Sequence, residues 1–472
     1  MMLKQLLKYA PVQIFAAISV FALISIHTKL LTTTEYGMLS LMLLTVEIVR
    51  AVAAQWVNSS MLRLLPSKIK EQHSRFAAIA CSIILCCTIP AFFLVVLGLY
   101  LTDLLSLNIL VTTFILFVTK ALYLFYLELA RVMERLNPYR LAVLVQSVLA
   151  IIFTWFFLII KADLLLALFA LALSNFIAGI IVFKSLKISI KELFSVDANI
   201  IYTYGIPLMV SGLVASISSR LDRYFIADSL SLAQTGIYAA ISNILLGIGA
   251  LIFMVVALPS YPELTKKINN KTELYKAHSE YLTLLMFITL PGLLGFCVLA
   301  QPITQLLLSE EYLSQGTTII YILCAAVFIL NVKAHYIDHG LQFSLSTKYI
   351  PRISLISLLL NLVLLTILIP KYGLTGAAFS FLITSLISFF LSLFVSLKKD
   401  YKFIIPRQVY KIIFSSACMG YLLSVFYTKQ FLYIDIPILY LAINVLFGIL
   451  TFLVVMVLLN YKKCRHWIRN HE

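Results

Sequence analysis

Apolar residues run through this chain in long stretches, broken at intervals by Pro, Gly and clusters of charge. Fourteen stretches stand out, near 10–31, 37–62, 76–101, 105–131, 139–160, 163–184, 200–226, 233–260, 279–308, 315–340, 349–369, 374–397, 407–427 and 434–461. Each reaches the roughly 20 residues a helix needs to cross the hydrocarbon core of a bilayer. Inside a bilayer every backbone polar group must be satisfied within the protein, so only helices and closed barrels span it. The alternating ten-residue strands of a barrel are missing from the pattern. It predicts an all-α polytopic membrane protein with about fourteen transmembrane helices and short connections.

Composition agrees. Of 472 residues 62% are hydrophobic and 12% charged, and the mean hydropathy is +1.02, which excludes a water-soluble globule. The net charge of +16 raises the question of nucleic acid, but the basic residues sit at the ends of apolar runs, where they set topology. The seven cysteines, Cys81, Cys86, Cys87, Cys297, Cys324, Cys418 and Cys464, form no CxxC and lie mostly within apolar runs. They read as free, buried small hydrophobes. Lys4 and Lys8 precede the first stretch as in a signal peptide, but no cleavage site comes after them, so an uncleaved first helix is expected.

The basic residues also orient the chain. Most of the 36 Lys and Arg fall on even-numbered connections and the two tails, among them Arg63, Lys68, Lys70, Arg75, Arg131, Arg135, Lys187, Lys191, Lys266, Lys267, Lys398 and Lys399. Odd-numbered connections hold Lys29, Lys161, Arg223, Lys371 and Lys429. Positive residues stay inside, so both termini are expected in the cytoplasm and the number of spans is even.

The two halves show a weak repeat. Tyr9-Ala10-Pro11 pairs with Tyr204-Gly205-Ile206-Pro207, and Glu35-Tyr36-Gly37 with Gln234-Thr235-Gly236, at offsets of 196 and 199 residues. Tyr139-Arg140, Lys161, Phe169 and Lys187 pair with Tyr349 to Arg352, Lys371, Phe379 and Lys398 at offsets of 210 to 212. Two six-helix lobes are expected, 1–190 and 191–400, with two further helices and a tail over 401–472. Transporters built from parallel repeats place the substrate at the repeat interface.

Several motifs, taken in order, carry a family resemblance. They are Leu31-Thr32-Thr33-Thr34-Glu35-Tyr36-Gly37, Arg63-Leu64-Leu65-Pro66, Gly205-Ile206-Pro207-Leu208, Leu221-Asp222-Arg223 with Gly236-Ile237-Tyr238, Tyr261-Pro262-Glu263-Leu264, and Ile369-Pro370-Lys371-Tyr372-Gly373-Leu374-Thr375-Gly376-Ala377-Ala378. The chain resembles the polysaccharide transporters of the multidrug, oligosaccharidyl-lipid and polysaccharide exporter superfamily, especially O-antigen flippases. The resemblance implies a two-lobed cavity that flips an undecaprenyl-pyrophosphate-linked oligosaccharide across a bacterial cytoplasmic membrane by alternating access. A glycan polymerase and a chain-length regulator would be its partners, and no cofactor is implied. Read as residues, the motifs are scaffold: Pro370 ends a span, and Gly373, Gly376, Ala377 and Ala378 permit a tight return.

Ionisable residues within spans carry the functional expectation, because each costs roughly 2.5 to 3.5 kcal/mol on insertion scales unless it faces a partner or a cavity. The second span carries Glu47 and Arg50 one turn apart, with Ala54 and Asn58 continuing the stripe on a regular helix. The fourth carries Lys120, with Glu128 and Arg131 further along. Arg50 and Lys120 should lie at similar depth. A plain ion pair within the second span, and a partner for Lys120 on another helix, are the structural alternatives. The seventh span ends in Arg220, Asp222 and Arg223, for which snorkelling to the interface is the alternative. The tenth holds Lys333, His335, Asp338 and His339 toward its inner end, nearer water. Arg50, Lys120, Arg220 and Lys333 are the candidates for pyrophosphate, with Glu47, Glu128, Asp222 and Asp338 as charge partners or as coupling sites for proton or sodium. His335 and His339 have the spacing of a helical metal pair but no evident third ligand, so no metal is expected.

The chain lacks a Walker sequence. It also lacks a nucleophile with a base and an orienting group, and its outer connections are short, which weighs against a membrane enzyme such as a glycan polymerase. A multidrug exporter and a lipid II flippase are the nearer alternatives. The former typically has twelve spans.

Overall fold

The computed structural model describes residues 2–65, 73–186, 199–218, 220–312, 317–429 and 436–461. Pro66, Lys68, Lys70, Lys187, Lys191, the expected lobe boundary at 190/191, Cys464 and the tail from Lys462 lie outside them. The described residues form helices joined by short turns and connections. In chain order these are α1 (Met2–Leu30), α2 (Thr33–Arg50), a π-helical turn (Ala51–Gln55), α3 (Trp56–Leu64), α4 (His73–Cys86) and α5 (Thr88–Tyr100). Next come α6 (Leu107–Val132), α7 (Leu136–Ile160), α8 (Leu164–Leu186), α9 (Asn199–Ser218), α10 (Asp222–Ser229), α11 (Leu232–Thr265), α12 (Lys271–Val298) and α13 (Ala300–Leu307). The last are α14 (Thr317–Val332), a second π turn (Lys333–Ile337), α15 (Asp338–Phe343), α16 (Tyr349–Lys398), α17 (Arg407–Thr428) and α18 (Pro437–Leu459).

Among the described residues thirteen helices are long and apolar enough to cross a membrane, and one of the thirteen, α16, holds two spans. Its 50 residues would measure about 75 Å if straight, more than twice the hydrocarbon thickness. Instead Ser380 donates to Asn361 Oδ1 at 2.7 Å across 19 residues, and Lys399 stands 5.4 Å from the Tyr349 ring. The chain turns back at Gly373, whose φ of +56° is left-handed and costs Gly little. A Cβ on Gly376 would lie 2.2 Å from the carbonyl oxygen of Leu368, so only Gly fits the return. The described residues thus hold fourteen stretches able to cross, and the protein is a multi-pass membrane protein.

The Leu31–Gly37 motif is a helix start. Thr32 accepts from the Glu35 amide at 3.2 Å, and the Glu35 carboxylate accepts from the Thr32 amide at 3.0 Å, a reciprocal cap that satisfies two otherwise orphaned donors. Non-glycine residues take the left-handed position after four helices: Asp103, Glu134, Leu345 and Asp400, with φ between 53° and 57°. After each of them the next amide bonds back five residues, as Ser346 does to Leu341 at 2.8 Å, the geometry of a Schellman cap.

The chain divides into two compact units, Met1–Ala240 with Leu362–Ala377, and Ile241–Asn361 with Ala378–Glu472. In the first, α8 packs between α6 and α7, and α1 packs on α7. In the second, α17 packs against α12 and α18. Those three helices border an apolar groove of about 410 Å³ around Phe287, Pro291, Gly292, Met419, Gly448 and Phe452.

Candidate functional site

In the first unit α2 and α6 bring three charges together. Arg50 donates through Nε and Nη2 to Glu47 Oε2 at 3.0 and 2.7 Å. Lys120 Nζ bonds the other carboxylate oxygen, Oε1. Glu47 therefore joins the cation on its own helix to the cation on α6, which places Arg50 and Lys120 at a common depth. The side chains are 16%, 29% and 27% exposed for Arg50, Glu47 and Lys120, so the group is open enough to be reached. It carries one net positive charge. An oxyanion of two or more charges can compete with Glu47 for both cations, Arg50 through its planar fork and Lys120 as a point charge.

The helix that carries Glu47 and Arg50 changes pitch at once. The π turn at Ala51–Gln55 inserts one residue into the helical repeat, and such turns recur at functional positions. It rotates the rest of the span by about 100°, so Ala54 and Asn58 do not continue the stripe expected of a regular helix; both are buried, at 0% and 6% exposure. Thr45 and Ile48, on another face of α2, line an apolar cleft of about 800 Å³ with Leu94, Leu97, Ile217 and Phe225. Thr45 and the Tyr224 hydroxyl share a hydrogen bond at 2.8 Å.

Glu128 stands apart from this group. It pairs with Arg131 of its own helix at 3.5 Å, so Glu47 is the carboxylate that tempers the two cations. Arg220 is half-buried in the turn before α10, where its carbonyl accepts from the Arg223 amide at 3.3 Å. Asp222 Oδ1 also accepts from that amide, at 2.9 Å. Arg223 is 1% exposed, so its side chain is buried and does not snorkel.

In the second unit Lys333 and Asp338 form an ion pair at 2.9 Å with side chains 8% and 9% exposed. They lie toward the inner end of the tenth span, and their side chains are buried among protein atoms. Around them stands an aromatic cluster that periodicity alone does not reveal. His335 stacks on Phe253 with centroids 5.8 Å apart, and His339 lies 5.0 Å from Tyr261. His278 of α12 stacks on Tyr336 at 4.3 Å and shares a 2.9 Å hydrogen bond with the Tyr401 hydroxyl. His335 and His339, one turn apart in sequence, thus face different neighbours. Among the described residues no three His, Cys, Asp or Glu side chains come together in a metal-binding group.

Residues 33–37 and 232–236 make a contact that the repeat marks without locating. A Cβ on Gly37 would lie 1.9 Å from Leu232 O, and one on Gly236 2.0 Å from Thr33 O. An offset of 199 residues carries Thr33 to Leu232 and Gly37 to Gly236. The contact is therefore locally two-fold, and both motif glycines are required by backbone approach.

Known proteins share this helix order. The sequence matches the profile of the family described as polysaccharide biosynthesis protein over residues 26–317. It is 24% identical over 259 residues to the probable low-salt glycan biosynthesis flippase of Haloferax volcanii; the match covers 52% of this chain and 54% of that protein, about half of each. The fold is similar to a lipid II flippase solved in an inward closed conformation, with TM-score 0.74 and 17% identity over 97% of this chain and 99% of that one. It is also similar to an inward-facing multidrug resistance transporter, with TM-score 0.62 and 14% identity over 82% and 94%. With a profile match over more than half its length and a fold to agree with it, the chain is a member of the polysaccharide biosynthesis protein family.

Proposed function

We propose that the protein is a flippase that carries an undecaprenyl-pyrophosphate-linked oligosaccharide, an O-antigen or similar repeat unit, from the cytoplasmic to the outer face of a bacterial inner membrane by alternating access. The observation that carries this reading is the Glu47–Arg50–Lys120 group. A flippase must take a diphosphate out of water while its prenyl chain stays in lipid, and two part-exposed cations held by one carboxylate suit that task. Too strong a site would trap the ligand. Glu47 keeps both cations partly neutralised until an anion displaces it. Arg220 and Lys333 are the further candidates for the same headgroup, with Asp222 and Asp338 as their partners.

The two lobes read from the repeat, and the cytoplasmic termini read from the basic residues, belong to this proposal. So does the drive. Two negative charges moving outward without compensation gain about 2 × 2.3 kcal/mol per 100 mV of an inside-negative potential. Coupled entry of proton or sodium, with Glu47, Glu128 or Asp338 as carriers, is the alternative drive. A glycan polymerase and a chain-length regulator are the expected partners.

The test is a deletion strain, in which lipid-linked repeat units accumulate on the cytoplasmic face and the wild-type gene clears them. If Arg50→Ala and Lys120→Ala proteins insert normally and restore export fully, the cation group is not the seat. Accumulation of lipid II in place of repeat units would move the reading to a lipid II flippase.

A further inference from the structure

Lys120 and Lys333 open the same short pattern, in the fourth and the tenth apolar stretch. Lys120-Ala121-Leu122-Tyr123 on α6 and Lys333-Ala334-His335-Tyr336 at the second π turn share Lys-Ala-x-Tyr at an offset of 213 residues, one more than the largest offset of the matches from Tyr139 onward. Each lysine lies inside a span and each has a carboxylate: Glu47 for Lys120 and Asp338 for Lys333. The two differ in access. Lys120 and Glu47 are 27% and 29% exposed, Lys333 and Asp338 8% and 9%.

Pairing between residues five apart on one helix needs an explanation. On a regular α-helix they stand about 140° apart at 100° per residue. In the π turn the Asp338 amide bonds to Lys333 O, and the wider repeat reduces the angle to roughly 50°, so the side chains meet. The turn is what holds the pair. The pair is also incomplete on its acceptor side: Asp338 Oδ1 is buried without a hydrogen-bond partner among the described residues, and an ammonium has three donors.

We propose that Lys333 is a second oxyanion station for the diphosphate class, closed by Asp338 as an internal ligand and opened when residues 333–337 pass from π to α pitch. The ligand class rests on the flippase reading. A lysine inside a span must be matched by an anion at every stage, because a lone buried cation is strongly unfavourable. Asp338 is that anion when the station is empty, and a phosphate oxygen is when it is loaded. Regular pitch carries the carboxylate around the helix and leaves the ammonium to the ligand.

The test uses the full chain in lipid nanodiscs, with Arg50→Ala and Lys120→Ala as background so that the first station is silent. It is titrated separately with inorganic pyrophosphate and with farnesyl diphosphate. Asp338→Asn in this background is expected to tighten binding at least tenfold, and adding Lys333→Gln to abolish the gain. A gain with both probes assigns the station to the diphosphate itself, and a gain with farnesyl diphosphate alone assigns it to a lipid-linked one; both support the proposal. No gain, or a gain that survives Lys333→Gln, overturns it. A measurement without variants keeps the proposal falsifiable if Asp338→Asn does not fold: amide exchange across 333–341 of the wild-type chain should quicken with pyrophosphate, and unchanged exchange overturns it. Binding through Arg50 and Lys120 is read as the difference between the wild-type titration and that of the Arg50→Ala, Lys120→Ala background, so failure of the flippase reading and failure of the second station are seen separately.

Discussion

Gly37 and Gly236 lie with their backbones in contact, the amide nitrogen of each 3.0 to 3.1 Å from where the other's Cβ would stand. Adding one methyl at either position forces two helix starts apart. Gly37→Ala and Gly236→Ala should each destabilise the protein by about 1–3 kcal/mol, the usual range for overpacking. Because the first substitution already separates the backbones, the double variant should lose less than the two effects combined. Thermal unfolding in detergent checks this, and single variants that melt with the wild type would remove the contact from any structural role.

Glu47 neutralises two cations at once, so its removal should do more harm than removal of either cation. Glu47→Gln is expected to lose about 1–3 kcal/mol, below the range for a fully buried pair because the group is part exposed. Glu47→Gln with Lys120→Met should regain part of that stability. Export should not return with it, since one of the two cations is gone. Melting curves and complementation of a deletion strain read the two quantities independently. A double variant that restores both would show Lys120 to be merely structural.

Leu345 holds φ of 53° at the end of α15 and is 91% exposed. A branched side chain there gains no burial and carries the left-handed penalty of roughly 1–2 kcal/mol that Gly escapes. Leu345→Gly should therefore raise the melting temperature, by an amount near 1 kcal/mol once the flexibility of Gly in the unfolded chain is counted. A lower melting temperature would refute the strain argument.

Asp163 caps α8 by accepting from the Leu165 amide at 2.8 Å and pairs with Lys161 at 2.9 Å. Both partners favour the carboxylate, with Lys161 the larger influence, and hold its pKa below the usual range. The stabilisation is present above the unfolded value of about 3.9 and is lost as pH falls through the lower folded value. Asp163→Asn should keep the cap and lose only the screened surface pair with Lys161, a small loss at neutral pH, while Asp163→Ala should lose about 1 kcal/mol more for the cap. Equal losses in the two variants would show that the charge, not the cap, matters.

Much of this fold is readable from sequence because the bilayer leaves few choices. Apolar length gives the crossings, and Pro370 with Gly373 and Gly376 marks the return inside α16. Glu47, Arg50 and Lys120 stand out because a charge inside a span demands a partner. Periodicity cannot find what depends on departures from regular pitch. The stripe through Ala54 and Asn58 assumes 100° per residue and breaks at the first π turn, and the pairing of Lys333 with Asp338 depends on a π turn that leaves no mark in hydropathy. The repeated Lys-Ala-x-Tyr is present but too short to weigh without its place in the fold. Gly37 and Gly236 are legible as a repeat, yet which backbone each glycine admits is a fact of tertiary contact.

A π turn is an inserted residue that a helix has absorbed rather than expelled. The spans through Ala51–Gln55 and Lys333–Ile337 are therefore one residue longer than their straight equivalents. In most spans a single-codon deletion turns every later side chain to a new face. At these two positions it would instead restore ordinary pitch, so here the gene can lose a codon and still encode a continuous membrane helix. Relatives that lack one residue at these points would keep the later side chains on their present faces, with the length of the span almost unchanged.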